Sequence, residues 1–391
     1  MKIVQFGLHY SPNVGDGIIS ETLGHAVRMC QPDATYQTVD ISGRGGFGDV
    51  TVRNRAMILR LLGMLPAGPR GRLVETRLNR MLDAVEPDWH AALDGADLAV
   101  IGGGQIFSDA DLNFCSKIAR VAKLLQQTGT PAVIHAAGVS GNWSHRGTEL
   151  FHRVFDGDLR AVGLRDGLSI DHWVRQTGGR GPAPLLARDP GLLAAGCYGP
   201  APEQTDHIAL CITAPHLLKY HSDSAVAGVA ERGLAFFAAL TRDLCGRGNS
   251  VRLFCNGAAE DRDALSQVAA MPEVAPLVAE GHLQVATPPA TPTELAHIIR
   301  SSRAVIAHRM HACIVAYSYG LPIVGLGWDR KLESFFTSVE ATHGFLGAQD
   351  VTPSQVVDTV EAALDRGVDA ATLSRVQQET LASVAQMLSR I

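Results

Sequence analysis

The sequence predicts an α/β protein built as two consecutive doubly wound domains with a ligand cleft between them. Three observations predict it. Short apolar runs alternate with helical periodicity along both halves, glycine-rich segments follow several of those runs directly, and a Gly- and Pro-dense stretch from Gly178 to Pro202 separates the halves. In such folds ligands gather at the carboxyl ends of the strands, so the residues that follow each apolar run are the candidates for chemistry.

Ile3 to Phe6 reads as a buried strand, followed by a glycine-containing loop and a helix from Ile18 to Met29. Thr35 to Val39 is a second strand, and Asp97 to Ile101 is a continuous apolar strand of the parallel-sheet kind, ending in Gly102, Gly103 and Gly104. The Arg-rich segment from Arg44 to Arg80, broken by Pro66 and Pro69, reads as two helices and a mobile loop. Helix Phe114 to Gln127, strand Ala132 to Ala136, strand Arg160 to Leu164 and helix Gly167 to Gln176 continue the rhythm. The second series has strands at His207 to Ile212, Val251 to Cys255, His282 to Ala286, Ala304 to Ala307 and Ile323 to Gly327. Thr291-Pro292-Thr293-Glu294 and Thr352-Pro353-Ser354-Gln355 place Thr, Pro and an acid or amide where a capping box needs them. The division expected is 1–180, a linker at 181–205, 206–371, and an amphipathic helix at 372–391 that packs back on the first domain.

At 391 residues, 46% hydrophobic and 19% charged, the chain has ample material for two cores. No apolar run reaches membrane-spanning length and Met1 leads directly into a strand, so a soluble cytoplasmic protein is expected, with peripheral contact at the inner face of the cell membrane left open. Seven cysteines without a C-x-x-C pair give no zinc or disulfide framework, and most should be small buried hydrophobes. A net charge of -5 argues against nucleic acid as partner.

Four constellations carry the chemistry. Asn13, Gly15 and Asp16 lie in a loop that opens a helix; either its amides cup an anion, or Asp16 caps the helix and the glycines turn the chain. The spacing is neither that of a dinucleotide fingerprint nor that of a P-loop. Gly102, Gly103, Gly104 and Gln105 remove side chains at a strand end and let a ligand approach the backbone. Arg309 and His311 stand where a strand yields to a helix, Arg309 offering a planar fork to a phosphate or carboxylate. His308 reads as a ligand-side or a core histidine, and the His308/His311 pair lacks a third metal ligand of sound spacing. Lys331, after the next strand, is placed to join Arg309 and His311. The fourth, Arg165-Asp166 with Asp189-Pro190 downstream, reads as an ion pair or a helix cap as readily as a binding site.

In order, Asn13-Val14-Gly15-Asp16, the glycine triplet, Arg165-Asp166, Asp189-Pro190, Arg309-Met310-His311 and Gly320-Leu321-Pro322 through Lys331 resemble the polysaccharide pyruvyl transferase family. The departures are Met310 for Leu, a volume-conserving change, and Trp328 before the Asp. The resemblance implies two Rossmann-like domains facing a central cleft, a glycosyltransferase-B-like architecture. It also implies transfer of the enolpyruvyl group of phosphoenolpyruvate to hydroxyls of a saccharide or lipid-linked saccharide as a cyclic ketal. By resemblance Arg309 binds the donor's phosphate or carboxylate and His311 is general acid or base. Arg165 and Lys331 are similar to the family's other basic positions and are assigned to donor binding; Trp328, a departure from the family pattern, is placed instead to stack on a sugar face of this protein's own acceptor. No cofactor is expected. A nucleotide-sugar glycosyltransferase of the same architecture and a non-catalytic glycan-binding protein are the alternatives. The acceptor sugar, the hydroxyls bridged and the oligomeric state are not written in the sequence.

Overall fold

The computed structural model describes residues 1–48, 67–109, 112–200, 205–221, 233–347 and 351–390, with side chains outside 67–74 and 219–221. The chain forms two compact units: Met1–Ser11, Ile19–Pro190 and Thr380–Ile391 make one, and Pro12–Ile18 and Gly191–Glu379 the other. Among the described residues no helix is long and apolar enough to cross a membrane.

The first unit is a six-stranded sheet in the order β2-β1-β3-β4-β5-β6. Its strands are β1 (Lys2–Gly7), β2 (Thr35–Asp40), β3 (Leu98–Phe107), β4 (Ala132–Val139), β5 (Leu159–Leu164) and β6 (Pro184–Leu186). Every pairing is parallel. Burial on both faces is why β3 and β4 read as near-continuous apolar runs. Phe107, Trp143, Phe151 and Trp173 form one aromatic cluster with ring centroids 4.5 to 6.4 Å apart. Each such buried side chain contributes about 1.5–3 kcal/mol by leaving water, which makes this cluster a main anchor of the unit.

Two expectations are corrected by the fold. The strand expected to end at Ile101 runs on through the glycine triplet to Phe107, with an irregular register between Gly104 and Phe107. The glycines are needed inside the sheet: a side chain at Gly102 would collide with the His135 carbonyl oxygen, and Gly103 and Gly104 have φ of 86° and 77°, where other residues are strained. The stretch 181–205 is more than a linker, since β6 adds an edge strand with Pro184 at its start and a short helix follows at Ala194–Tyr198. Of the Arg-rich segment read as two helices and a loop, 49–66 lie outside the described residues; 44–48 are loop and turn, and 67–80 open the helix Ala67–Leu93.

The second unit repeats the plan with the sheet order β12-β11-β10-β7-β8-β9. Its strands are β7 (His207–Cys211), β8 (Ser250–Phe254), β9 (Leu283–Val285), β10 (Ala304–Ala307), β11 (Ile323–Leu326) and β12 (Phe345–Leu346), all pairing in parallel. Thr352 and Gln355 close the full reciprocal cap of helix Pro353–Arg366. Thr291 caps its helix by accepting from the Glu294 amide, whereas the Glu294 carboxylate reaches the Ala290 amide instead of Thr291. All seven cysteines are free thiols.

Candidate active site

In each sheet one neighbouring strand pair sends its connections in opposite directions, leaving a crevice at the carboxyl ends. In the second unit that pair is β10 and β7. Arg309 ends the turn after β10 and occupies the N-cap position of helix Met310–Ser318, whose N-terminus receives no side-chain cap. Its Nε and Nη2 both donate to Oδ2 of Asp261, at 3.0 and 2.6 Å. Asp261 comes from the first turn of helix Ala259–Ala269, after β8, and its other oxygen accepts from the Ala214 amide after β7 at 2.9 Å. The carboxylate is wholly buried, so three strand ends are tied together by one charged group. The Arg309 Nη1 edge takes no part in that pair.

His311 is the second residue of the same helix, with 8% of its side chain exposed and its Nδ1 3.6 Å from Asp16 Oδ1. Asp16 belongs to the second unit together with the rest of Pro12–Ile18. A side chain at Gly15 would come within 2.9 Å of His311 Cβ and 3.0 Å of Asn256 Nδ2, so glycine at 15 is what lets this loop approach the imidazole. The loop's amides are largely spent in folding: Val14 donates to the Asn256 carbonyl, Asp16 to Asn13 and Gly17 to Val14. An anion cup made of these amides is therefore replaced by a loop that aims a carboxylate at His311. Asn13 Nδ2 supports it by donating to Asp16 Oδ1 at 3.4 Å.

His308 is 1% exposed and edge-on to Phe237 at 5.6 Å, so of its two readings the structure fits the core one and not the ligand-side one. Trp328 is half-buried and donates from Nε1 to the His308 carbonyl at 2.7 Å. Lys331 stays within its own turn, 3.4 Å from Asp329 and 5.8 Å from the Trp328 ring. Beneath Arg309, burial pushes the Cys211 thiol well above its usual range and the Asp261 charge adds to the rise. Cys211 thus remains a neutral donor to Asn256 Oδ1.

The remaining candidates lie in the first unit. Arg165, at the end of β5, donates from Nη2 to Gln105 Oε1 at 2.6 Å and from Nε to Asp166 Oδ2 at 3.2 Å. Asp166 also caps helix Gly167–Thr177 by accepting from the Ser169 amide. Both readings of Arg165-Asp166 therefore hold at once, and Gln105 is the partner that orients the guanidinium. Gly102 is required by packing against β4, and Gly103 and Gly104 by their positive φ.

Sequence reasoning missed Asp261 and Asn256, whose only signal was their place after β8. It also missed His135 in β4, 2% exposed with Nε2 buried and unpaired among the described residues. Burial lowers this imidazole to about 4 from 6.5, the charge of Asp189 opposing only in part. The unfolded chain therefore binds a proton that the folded one refuses between pH 6.5 and 4. Stability is full above that window and falls through it by roughly 3 kcal/mol. Urea unfolding at pH 7 and pH 4 should show this loss, and His135→Gln should reduce it; an unchanged pH difference in the variant would remove His135 as the cause.

A family model described as polysaccharide pyruvyl transferase matches residues 13–330. No curated protein matches the chain by sequence. Among solved structures, UDP-GlcNAc 2-epimerase from Methanocaldococcus jannaschii is similar with a TM-score of 0.57 at 9% identity, covering 100% of this chain and 99% of that one. UDP-N-acetylglucosamine 2-epimerase from Rickettsia bellii gives 0.53 at 10% identity, covering 100% and 95%. Spinosyn rhamnosyltransferase gives 0.48 at 15%, covering 100% and 99%. At these identities the likeness to the two epimerases concerns the fold alone, a glycosyltransferase-B-like pair of α/β domains.

Proposed function

The chain belongs to the polysaccharide pyruvyl transferase family, and from that premise we propose that it transfers the enolpyruvyl group of phosphoenolpyruvate to two hydroxyls of a sugar in a cell-surface glycan or its precursor, releasing phosphate. The observation that carries the reading is the pairing of Arg309 with buried Asp261 two residues before His311, at the strand crossover of the second unit. A fixed guanidinium edge beside an uncapped helix N-terminus suits a phosphate, and an imidazole facing a carboxylate suits proton movement.

Protonation of the donor's methylene carbon makes its C2 an oxocarbenium-like centre, to which one sugar hydroxyl adds with loss of its proton. The C2–phosphate bond then breaks, phosphate leaving with the electron pair, and the second hydroxyl closes the ketal as its proton departs. Two protons leave the sugar; one is now on the methyl group and one on phosphate. In this reading His311 moves protons at both steps, with Asp16 holding its Nδ1 side. Arg309 meets the phosphate as its charge grows, held in place by Asp261. Arg165 and Lys331 stand as further donor-binding candidates.

Incubation with phosphoenolpyruvate and a panel of saccharides, followed by mass spectrometry, should reveal an acceptor that gains pyruvate while phosphate appears. Nucleotide-sugar turnover without that product would overturn the reading. Phosphoenolpyruvate at 100 times its Kd should stabilise the protein by roughly 2.7 kcal/mol. Arg309→Ala should lower kcat/KM by at least about 30-fold, the equivalent of about 2 kcal/mol of lost charge pairing. Activity within threefold of wild type would take Arg309 out of the site.

A further inference from the structure

The first unit has its own crossover, between β1 and β3. Around it the loops after β1 and β2 and the helix after β3 collect charges and rings that the chemistry above does not use. Asp40, the last residue of β2, is buried and accepts from the Tyr10 and Ser42 amides at 2.9 and 2.7 Å. Arg44 Nη1 stands 3.5 Å from Asp40, and Lys117, 5% exposed, donates to Ser42 Oγ at 2.9 Å. Two cations therefore flank this turn, Arg44 on the Asp40 carboxylate and Lys117 on the Ser42 hydroxyl. Arg44 Nε and Nη1 and His9 Nδ1 are buried with no hydrogen-bond partner among the described residues.

Beside these charges, His9, Tyr10 and Phe47 pack ring to ring at 4.4, 5.3 and 5.0 Å, each half-buried. The helix Asn113–Thr128, which carries Lys117, starts at Leu112 with φ 61° and no side-chain cap. Buried donors left unsatisfied on a cationic group are costly, and an anion at this crossover would satisfy them. Exposed ring faces next to that anion suit the apolar face of a sugar.

We propose that Arg44, Lys117, His9, Tyr10 and Phe47 form a subsite for a sugar that carries a phosphate. The inference rests on the transferase reading and gives it an acceptor class, an anionic saccharide. The phosphate lies against Arg44, on the Lys117 side, and the sugar lies on the rings. A soluble sugar phosphate and a lipid-linked one share this chemistry.

Calorimetric titration at low salt tests it with glucose, inorganic phosphate, glucose 1-phosphate and the octyl phosphodiester of glucose. One of the two phosphorylated sugars should bind about 10- to 100-fold more tightly than glucose or phosphate, the worth of one charge-assisted hydrogen bond. Preference for the monoester assigns a soluble ligand, and preference for the octyl diester a lipid-linked one. Arg44→Gln should remove the advantage while phosphoenolpyruvate affinity stays within twofold, and Arg309→Ala should do the reverse. Equal affinity of wild type for glucose and both phosphorylated sugars would overturn the subsite, and that comparison requires no variant to fold. Phosphate binding as tightly as either phosphorylated sugar would also overturn it, as would phosphorylated-sugar affinity that depends on Arg309 and not Arg44. Failure of phosphoenolpyruvate to bind or react would sink the transferase reading separately, leaving Arg44-dependent binding to be judged on these titrations.

Discussion

His311→Gln is expected to lower kcat by about 100- to 10,000-fold, the span that a positioned general acid or base contributes. Glutamine roughly fills the imidazole's place and retains hydrogen-bonding capacity, but it cannot take up and return a proton at neutral pH. Gly15 and Asp16 bring backbone and carboxylate close to this one side chain, an arrangement that fixes a ring and would be wasted on a bystander. Affinity for phosphoenolpyruvate should remain within about threefold, because uniform binding is not what the substitution removes. Steady-state kinetics with a calorimetric Kd separate the two quantities. A variant that loses affinity and turnover equally would assign His311 to binding, and one with normal turnover would remove it from the chemistry.

Asp261→Asn is expected to destabilise the protein by about 3–5 kcal/mol, because it leaves the guanidinium of Arg309 without its buried counter-charge. Only 15% of the Arg309 side chain is exposed, so water cannot replace the lost partner. Urea unfolding measures the loss, and a value under about 1 kcal/mol would mean that the pair is idle. Activity should fall further than stability explains. In the folded variant Arg309 would no longer present a fixed edge, so kcat/KM for the donor should drop at temperatures well below the unfolding midpoint.

Much of this organisation could be read from residues alone, and where reading failed the cause is specific. The strand Ile3 to Phe6 was legible because burial on both faces of a parallel sheet leaves an unbroken apolar run, and the structure extends it by one residue at each end. Thr352 was legible because its cap is closed within four residues. The glycine triplet misled because local sequence does not distinguish a strand end from a strand that bulges; the difference lies in His135, whose backbone packs against Gly102 from the next strand. β6 was hidden by its own proline and by the glycines that precede it, and its strand identity is supplied only by pairing with β5. Asp261 is 48 residues from Arg309, and an acid in the first turn of a helix is so ordinary that nothing marked it. Arg309 and His311, by contrast, were conspicuous because both fall close behind a strand end.

The last helix, Ala370–Leu388, changes allegiance along its length: the segment before Thr380 belongs with the second unit and Thr380 onward with the first. Arg160 of β5 already donates to the carbonyl of Arg390, 230 residues away. On a ribosome the first unit therefore emerges early but waits, unfinished, through the synthesis of the whole second unit. During that interval the apolar surface that Val384 and Met387 will cover stays open, a natural point of engagement for chaperones. A chain ending at residue 379 would carry that wait permanently, and aggregation of the early-made unit is the defect to look for.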